Sequence, residues 1–264
     1  MNILDKIFKY KKKETAERKS LFPTRLLEKS IYFDAPTVSL KKYLLRTDKS
    51  GIIAEIKRKS PGAGIINQFV NVERTSIGYM QAGASALSIL TDEHFFGGSS
   101  SDLTIARKFN FCPILRKDFI LDEYQIVESK SIGADAILLI AAILSPVEIA
   151  SFSSLARTLG LEVVLEIRQD SELIKVGNEV DIIGVNNRNL NNFKTDLKSS
   201  LDMSGRIPKG CPKISESGIR DMSDVKQLKK AGYNGFLIGE LFMRSARPEK
   251  ICADFIRQIH ESRN

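Results

Sequence analysis

The chain has no tryptophan, two histidines and three cysteines among 264 residues. His94 and His260 are too few to suggest a histidine-built metal site or a histidine-centred triad, and no metal is expected. Cys112, Cys211 and Cys252 are odd in number and far apart, with neither a disulfide framework nor zinc-ligand spacing. Cys112 and Cys211 each precede a proline at the start of an apolar run and read as buried structural thiols, which suits a reducing cytoplasm. No apolar stretch approaches the roughly 18 residues of a membrane span. The opening MNILDKIFKYKKKETAERK lacks the unbroken apolar segment of a signal peptide, because charge interrupts it.

Hydrophobic residues make up 42% of the chain, enough for a full core, and the formal net charge is +8. An excess of that sign suits anionic ligands. It is spread along the chain, without the interleaved aromatics of a nucleic-acid stacking platform. The exception is Lys9, Lys11, Lys12 and Lys13, followed by Arg18 and Lys19, which read as the solvated face of a helix. Over residues 2–19, Ile3, Leu4, Ile7 and Phe8 recur at helical spacing. Pro23 and Pro36 break the next stretch, and Leu40–Leu45 suggests a second short helix. Residues 1–50 are therefore an N-terminal helical extension, placed to cover one end of a following domain or to overhang its site.

From residue 52 apolar runs alternate with helical segments. The runs fall at 52–56, 86–90, 112–115, 135–140, 161–167, 181–185, 212–215 and 235–239. Helix signals lie between them: Asn71 opens a segment that stops at Gly83, and Asp122 to Gln125 resembles a capping box before a stop at Gly133. Ser145, Pro146 and Glu148 form another box, Asp170 and Asp221 start two more helices, and Pro248 starts the last. The run AILLI at 136–140 is apolar on both faces, as in a parallel sheet covered by helices. Eight such units predict an α/β fold, a TIM (β/α)8 barrel over residues 51–264 that forms one domain with its extension. An open doubly wound sheet fits less well, because no G-x-G-x-x-G turn follows the first run and polar residues end many runs.

A barrel of this kind works at the C-terminal ends of its strands, and those positions are occupied consistently. The first run ends in Glu55 and Lys57, which alternate with Ile53 on one face. The second leads into TDEHFFGGS. The third ends LRKDF, with Leu115 and Lys117 on one face and Arg116 opposite, a structural position. The fifth ends in Glu166, the sixth offers Asn186 and Arg188, and the seventh offers Glu216, Ser217 and Gly218. Gly239 closes the eighth. Two lysines and several glutamates at one mouth form an acid/base set whose shared burial can move pKa values both ways. Gly218 and Gly239, near a short helix beginning at Glu240, present bare backbone N–H groups suited to a phosphate. Ser60, with Lys57 or Lys59, adds side-chain donors.

At these residues the chain resembles the indole-3-glycerol phosphate synthase family. The motifs are IAEIKRKSPGAG, LSILTDEHFFGGS, PILRKDFILDEYQI before GADAILLI, LEI, IGVNNRNL, ISESGI and LIGELFMR, and they span essentially the whole chain. The resemblance implies a cofactor-free lyase of tryptophan biosynthesis that acts on a small phosphorylated substrate, 1-(2-carboxyphenylamino)-1-deoxyribulose 5-phosphate. It implies Lys117 as general acid in ring closure, Lys57 as the second lysine and Glu166 as general base, with Glu55, Asn186, Arg188 and Glu216 completing the polar set. Ser60, Ser217, Gly218 and Gly239 match phosphate contacts, and Phe96 and Phe119 match walls around the aromatic ring. A cytoplasmic monomer is expected, without nucleic-acid or membrane partners and with association with other tryptophan-pathway enzymes left open. Family members often carry serine or threonine where this chain has Glu240. The competing expectations are another phosphosugar barrel enzyme, an isomerase or aldolase, or a non-catalytic binder of phosphate ligands or nucleic acid.

Overall fold

The eight apolar runs form eight parallel strands closed into a barrel. The computed structural model describes residues 3–189 and 193–261; the expected helix start at Asn2, Leu190 of the IGVNNRNL motif and the His260 side chain lie outside what it describes. Numbered along the chain, the barrel strands are β1 (Ile52–Ile56), β4 (Ala86–Leu90), β5 (Ile114–Lys117), β6 (Ala136–Ile140), β7 (Glu162–Ile167), β8 (Ile182–Asn186), β9 (Lys213–Glu216) and β10 (Gly235–Ile238). β1 closes the ring by pairing with both β4 and β10. β2 (Lys59–Ser60) and β3 (Gly64–Ile65) form a separate antiparallel hairpin after β1. The helices are α1 (Ile3–Leu21), α2 (Thr24–Leu27), α3 (Leu40–Leu45), α4 (Val72–Gln81), α5 (Ser100–Phe109), α6 (Glu123–Ser131), α7 (Pro146–Thr158), α8 (Lys198–Met203), α9 (Met222–Lys230), α10 (Glu240–Met243) and α11 (Pro248–Glu261).

Strand alternation sorts the side chains into two cores. Ile53, Leu115, Leu138, Val164, Ile182, Ile214 and Leu237 fill the barrel interior. Ile52, Ala54, Ile56, Leu87 and Ile89 face outward against the helices. The interior layers put the even-odd register of each strand on record, so the next inward position after Ile53 is Glu55, and after Leu115 it is Lys117.

The extension covers both ends of the barrel. Leu40 and Leu44 of α3 belong to the interior cluster, at the N-terminal ends of the strands. A side chain at Gly235, the first residue of β10, would meet Leu44 Cδ2 at 2.8 Å. The Ser39 hydroxyl caps α3 by accepting the Lys42 N–H at 3.0 Å. The Glu162 carboxylate at the start of β7 holds the Ser39 hydroxyl and, at 2.8 Å, the Lys41 N–H. α1 lies across the opposite end, where Ile3, Leu4 and Ile7 line the mouth. Its far end is tied to α6 by Arg18 to Glu128 at 2.5 Å and Lys19 to Asp122 at 2.6 Å. No helix among the described residues is long and apolar enough to cross a membrane.

Most local signals act as expected. The Asn71 side chain caps α4, Ser145 and Glu148 make a reciprocal capping box on α7, and Asp221 caps α9. Four expectations need correction. Asp122 caps α6, but Gln125 does not return the bond: its Oε1 accepts the Leu121 N–H and its Nε2 donates to the Phe119 carbonyl. A helix does start at Asp170, but Asp170–Lys175 is a 3-10 helix rather than an α-helix, and Gln169 before it provides no side-chain cap. Cys211 is half-buried, unlike Cys112 and Cys252. Finally, Lys11 is not on a solvated face; it is 2% exposed.

Because Leu44 fills the barrel floor, Leu44→Ala should cost about 2–5 kcal/mol. It should lower the midpoint of one cooperative unfolding transition seen alike by far-UV and near-UV circular dichroism. Two separate transitions would show that residues 1–50 and the barrel unfold independently.

Candidate active site

Five charged side chains meet at the C-terminal rim of the barrel. Lys117, at the end of β5, reaches inward to Glu216 Oε2 at 2.5 Å and Glu166 Oε2 at 3.1 Å, from β9 and β7. Lys57, just past β1, lies 2.6 Å from Glu55 Oε1, and the Ser88 hydroxyl of β4 donates to Glu55 Oε2 at 3.4 Å. Glu55, Glu166 and Glu216 are buried, while the two lysines keep about a seventh of their side-chain surface open, 15% and 14%. Three carboxylates against two ammonium groups leave these five side chains one positive charge short, a deficit that a bound proton can make up.

That imbalance shows in the electrostatics. Burial alone would lower the Lys117 pKa, but Glu216, Glu166 and Glu55 outweigh it and raise it above the ordinary lysine range. Burial pushes Glu216 up to about 7; Lys117 opposes the rise and Glu166 adds to it. Glu216 Oε1 has no hydrogen-bond partner, which is consistent with a proton resting there near neutral pH. Two glycines make room for the carboxylates. A Cβ at Gly184 would fall 2.2 Å from Glu216 Oε1, and one at Gly239 would fall 2.5 Å from Glu55 Oε1.

The rim opens into a cleft beneath α1. Its lining combines Lys57, Lys117, Glu55, Glu166, Asn186, Arg188, Glu216 and Ser217 with Phe96, Phe119 and the roof residues of α1. The Phe96 and Phe119 rings stand 6.0 Å apart, tilted by 39°. A second cleft shares Glu55, Lys57, Arg188 and Ser217 with the first and extends past Gly218 and Gly239 to Arg220, Glu240 and Arg244. Ser60 lines the first cleft rather than the second, with its hydroxyl accepting the Ala63 N–H at 3.1 Å. The Lys59 ammonium is committed to the His94 carbonyl at 2.7 Å, so it does not serve the second cleft.

The turn after β9 is strained. Ser217 has φ +67° and Gly218 φ +78°, and the left-handed region costs a side-chain-bearing residue about 1–2 kcal/mol. Asn187 holds the turn: its Nδ2 donates to the Glu216 and Ser217 carbonyls at 3.1 and 3.0 Å and to Ser215 Oγ at 2.9 Å. Glu240 does not turn away from the second cleft. Its carboxylate lies 3.0 Å from Arg188 Nη2 and 2.6 Å from Arg244 Nη2. Burial opposes the charge on Glu240, but the two arginines outweigh it and lower the pKa. Arg116 points outward into a buried network with Asp118, Glu128 and the Thr91 hydroxyl, the structural role its strand position foretold.

All thirteen residues singled out from the sequence thus fall on the two joined clefts. Sequence reasoning missed Asn187, Arg220 and Arg244, and the roof residues Ile3, Leu4 and Ile7. The doubled asparagine of VNNR was a signal for the first. Arg220 and Arg244 sit on short post-strand segments, where lone arginines carry no pattern.

The chain was compared with known proteins. Residues 4–255 match the family model described as indole-3-glycerol phosphate synthase. An indole-3-glycerol phosphate synthase of Bacteroides thetaiotaomicron is 45% identical over 258 residues, covering 98% of this chain and 99% of the relative. One from Caldanaerobacter subterraneus is 40% identical over 261 residues, covering 97% and 98%. Among solved structures, a thiamine phosphate pyrophosphorylase from Pyrococcus furiosus superposes with a TM-score of 0.61 at 14% identity, covering 85% of this chain and 98% of that one. The tryptophan synthase alpha subunit of Legionella pneumophila gives 0.61 at 12% identity, covering 84% and 98%. At such identities the two structures speak for the barrel fold alone.

The Glu216 shift has a stability consequence with a definite sign. Between the ordinary carboxyl pKa and about 7, the folded state holds a proton that the unfolded state has lost, so stability falls as pH rises through that window. The loss amounts to roughly 3 kcal/mol. Lys117, with its raised pKa, stays charged throughout. Denaturant titrations from pH 4.5 to 8 should show the decline in the native chain and a flatter profile in Glu216→Gln; parallel profiles would contradict the protonated Glu216.

Proposed function

The chain belongs to the indole-3-glycerol phosphate synthase family, and from that premise we propose how its residues divide the family's reaction. The enzyme closes the ring of 1-(2-carboxyphenylamino)-1-deoxyribulose 5-phosphate, releases carbon dioxide and then water, and yields indole-3-glycerol phosphate for tryptophan biosynthesis. The convergence of Lys57, Lys117, Glu55, Glu166 and Glu216 on one cleft carries the assignment of roles.

In ring closure the carbon bearing the carboxylate attacks the ketone, a carbon–carbon bond forms, and charge develops on the carbonyl oxygen. Lys117 donates to that oxygen. Its raised pKa keeps the ammonium charged in the free enzyme, and the carboxylates that hold the proton must loosen before it can be given up. Substrate must first draw the ammonium away from Glu216 and Glu166, and Glu216 tolerates this because it can hold a proton itself. Loss of carbon dioxide then restores the aromatic ring. For dehydration, Glu166 removes a proton while Lys57 assists departure of the hydroxyl, with Glu55 orienting Lys57. Asn186 and Arg188 steady the polar groups of the substrate, and Arg188 is held in place by Glu240.

The phosphate takes the second cleft, where the backbone of Ser217, Gly218 and Gly239 meets Lys57, Arg188, Arg220 and Arg244. The aromatic ring packs against Phe96 and Phe119, which form two adjoining walls of the cleft, with Ser60 on the hairpin above. Residues 1–50 and 51–264 act as one domain, since α3 fills the floor and α1 roofs the mouth. The same reading makes the enzyme a cytoplasmic monomer; its three free cysteines fit a reducing compartment.

Purified protein should convert the carboxyphenylamino substrate to a product with indole absorbance while releasing carbon dioxide, which an isomerase or aldolase would not do. Lys117→Ala should lose about 10²–10⁴-fold in kcat while substrate still binds; near-native turnover would remove Lys117 from its role. Glu240 sets a carboxylate beside the phosphate, a like-charge contact worth about 1 kcal/mol in a water-exposed cleft. Glu240→Ser should therefore lower KM several-fold and tighten inhibition by inorganic phosphate. A higher KM would mean that holding Arg188 in place matters more than the repulsion.

A further inference from the structure

The buried stripe of α1 runs through Ile7, Lys11 and Thr15. A lysine in the middle of such a stripe is costly to desolvate unless it is matched. Lys11 Nζ lies 2.8 Å from Asp118 Oδ1, 3.1 Å from Asp92 Oδ2 and 2.6 Å from Glu14 Oε2. Burial opposes its charge, yet Asp118, Asp92 and Glu14 outweigh burial and raise its pKa. The two aspartates are buried as deeply, at 0% and 3% exposure for Asp92 and Asp118.

What the aspartates do with their other bonds gives Lys11 its importance. Asp92 Oδ1 accepts the N–H groups of Phe95 and Phe96, at 2.7 and 3.1 Å. Asp118 Oδ1 accepts the N–H of Phe119 at 2.8 Å, and its Oδ2 takes the Thr91 hydroxyl at 2.5 Å and Arg116 at 3.1 Å. One ammonium therefore bridges the two carboxylates that shape the turns carrying Phe96 and Phe119. The two preceding turns of the same helix deliver Ile3, Leu4 and Ile7 to the mouth of the cleft. Asp118 also directly follows Lys117 in sequence.

We propose that Lys11 is a positioning residue: its ammonium fixes the gap between the helical roof and the two aromatic walls, and so sets how tightly the ring end of the substrate is held. This rests on reading Phe96 and Phe119 as the ring's walls. Lys11 touches no substrate atom in this account. It acts through Asp92 and Asp118.

Lys11→Met keeps the unbranched stem of the side chain, one atom shorter, and removes the bridging ammonium. It should raise KM by about tenfold and weaken inhibition by 2-aminobenzoate, a probe of the ring end, by a similar factor. Inhibition by inorganic phosphate and kcat should change by no more than a few-fold. Hydrogen exchange of residues 3–21 should quicken. Since the single change strands the Asp92 charge, the double variant Lys11→Met/Asp92→Asn supplies the control. Its amide oxygen can still accept the Phe95 and Phe96 N–H groups, so the melting temperature should recover while KM stays high. A double variant that regains native KM along with its melting temperature would reduce Lys11 to a structural ion pair. Equal weakening toward phosphate and 2-aminobenzoate would likewise overturn the positioning role. Unchanged hydrogen exchange in residues 3–21 overturns the tether whatever the kinetics show. Phe96→Ala with native KM would instead refute the wall reading alone.

Discussion

Three carboxylates and two ammonium groups share one water-poor rim, and the rest of the molecule is arranged around what that costs. A buried charge is tolerated only when matched and hydrogen-bonded. Here the matching is incomplete by one positive charge. The excess appears as a raised pKa on both sides of the Lys117–Glu216 contact: the lysine holds its proton more strongly, and the glutamate tends to acquire one. The opposite assignment, an acidic Glu216 beside a lysine, would hold for an exposed pair. It fails here because burial acts more strongly on Glu216 than its partner does.

The scaffold accommodates this cluster by omission as well as by contact. Gly184 and Gly239 lie in or beside neighbouring strands, and each leaves a void that a carboxylate occupies. Closing the barrel brings strand ends far apart in sequence to within hydrogen-bond distance, as with Lys117 and Glu216, 99 positions apart. Successive residues on β5 illustrate how alternation separates duties. Arg116 turns outward into the ion network under α6, whereas Lys117 turns inward to the carboxylates of the cleft. The outward network and the inward site are then rejoined by Asp118, which bonds Arg116 on one side and Lys11 of the roof on the other.

The N-terminal extension is as much a part of the enzyme as the barrel. Its short helix α3 supplies the leucines that complete the interior at one end, and its long helix α1 supplies the apolar roof at the other. Placing polar bridges at Lys11 on the buried stripe of α1 and at the partly exposed Arg18 near its end gives the roof a single register, because an ion pair does not slide as an apolar contact does. The second cleft is richer in positive charge, with Lys57, Arg188, Arg220 and Arg244 in its lining, and there Arg188 pairs with Glu240.

Alternating apolar runs, glycine stops and capping residues were enough to determine the barrel, all eight strands and which strand-end residues face the clefts, because a side chain's inward or outward direction follows from position along a strand. The same local rules explain Ser145 and Glu148 capping α7. They were insufficient for Gln125, whose side chain found the Phe119 carbonyl and the Leu121 N–H instead of its own helix end, and for Lys11, which resembles its exposed neighbours until Asp92 and Asp118 are folded beneath it. Charge state, pairing and the shape of the clefts depend on groups brought together from distant parts of the chain. Desolvation and through-space attraction act on distance in the folded molecule, which spacing along the sequence does not contain.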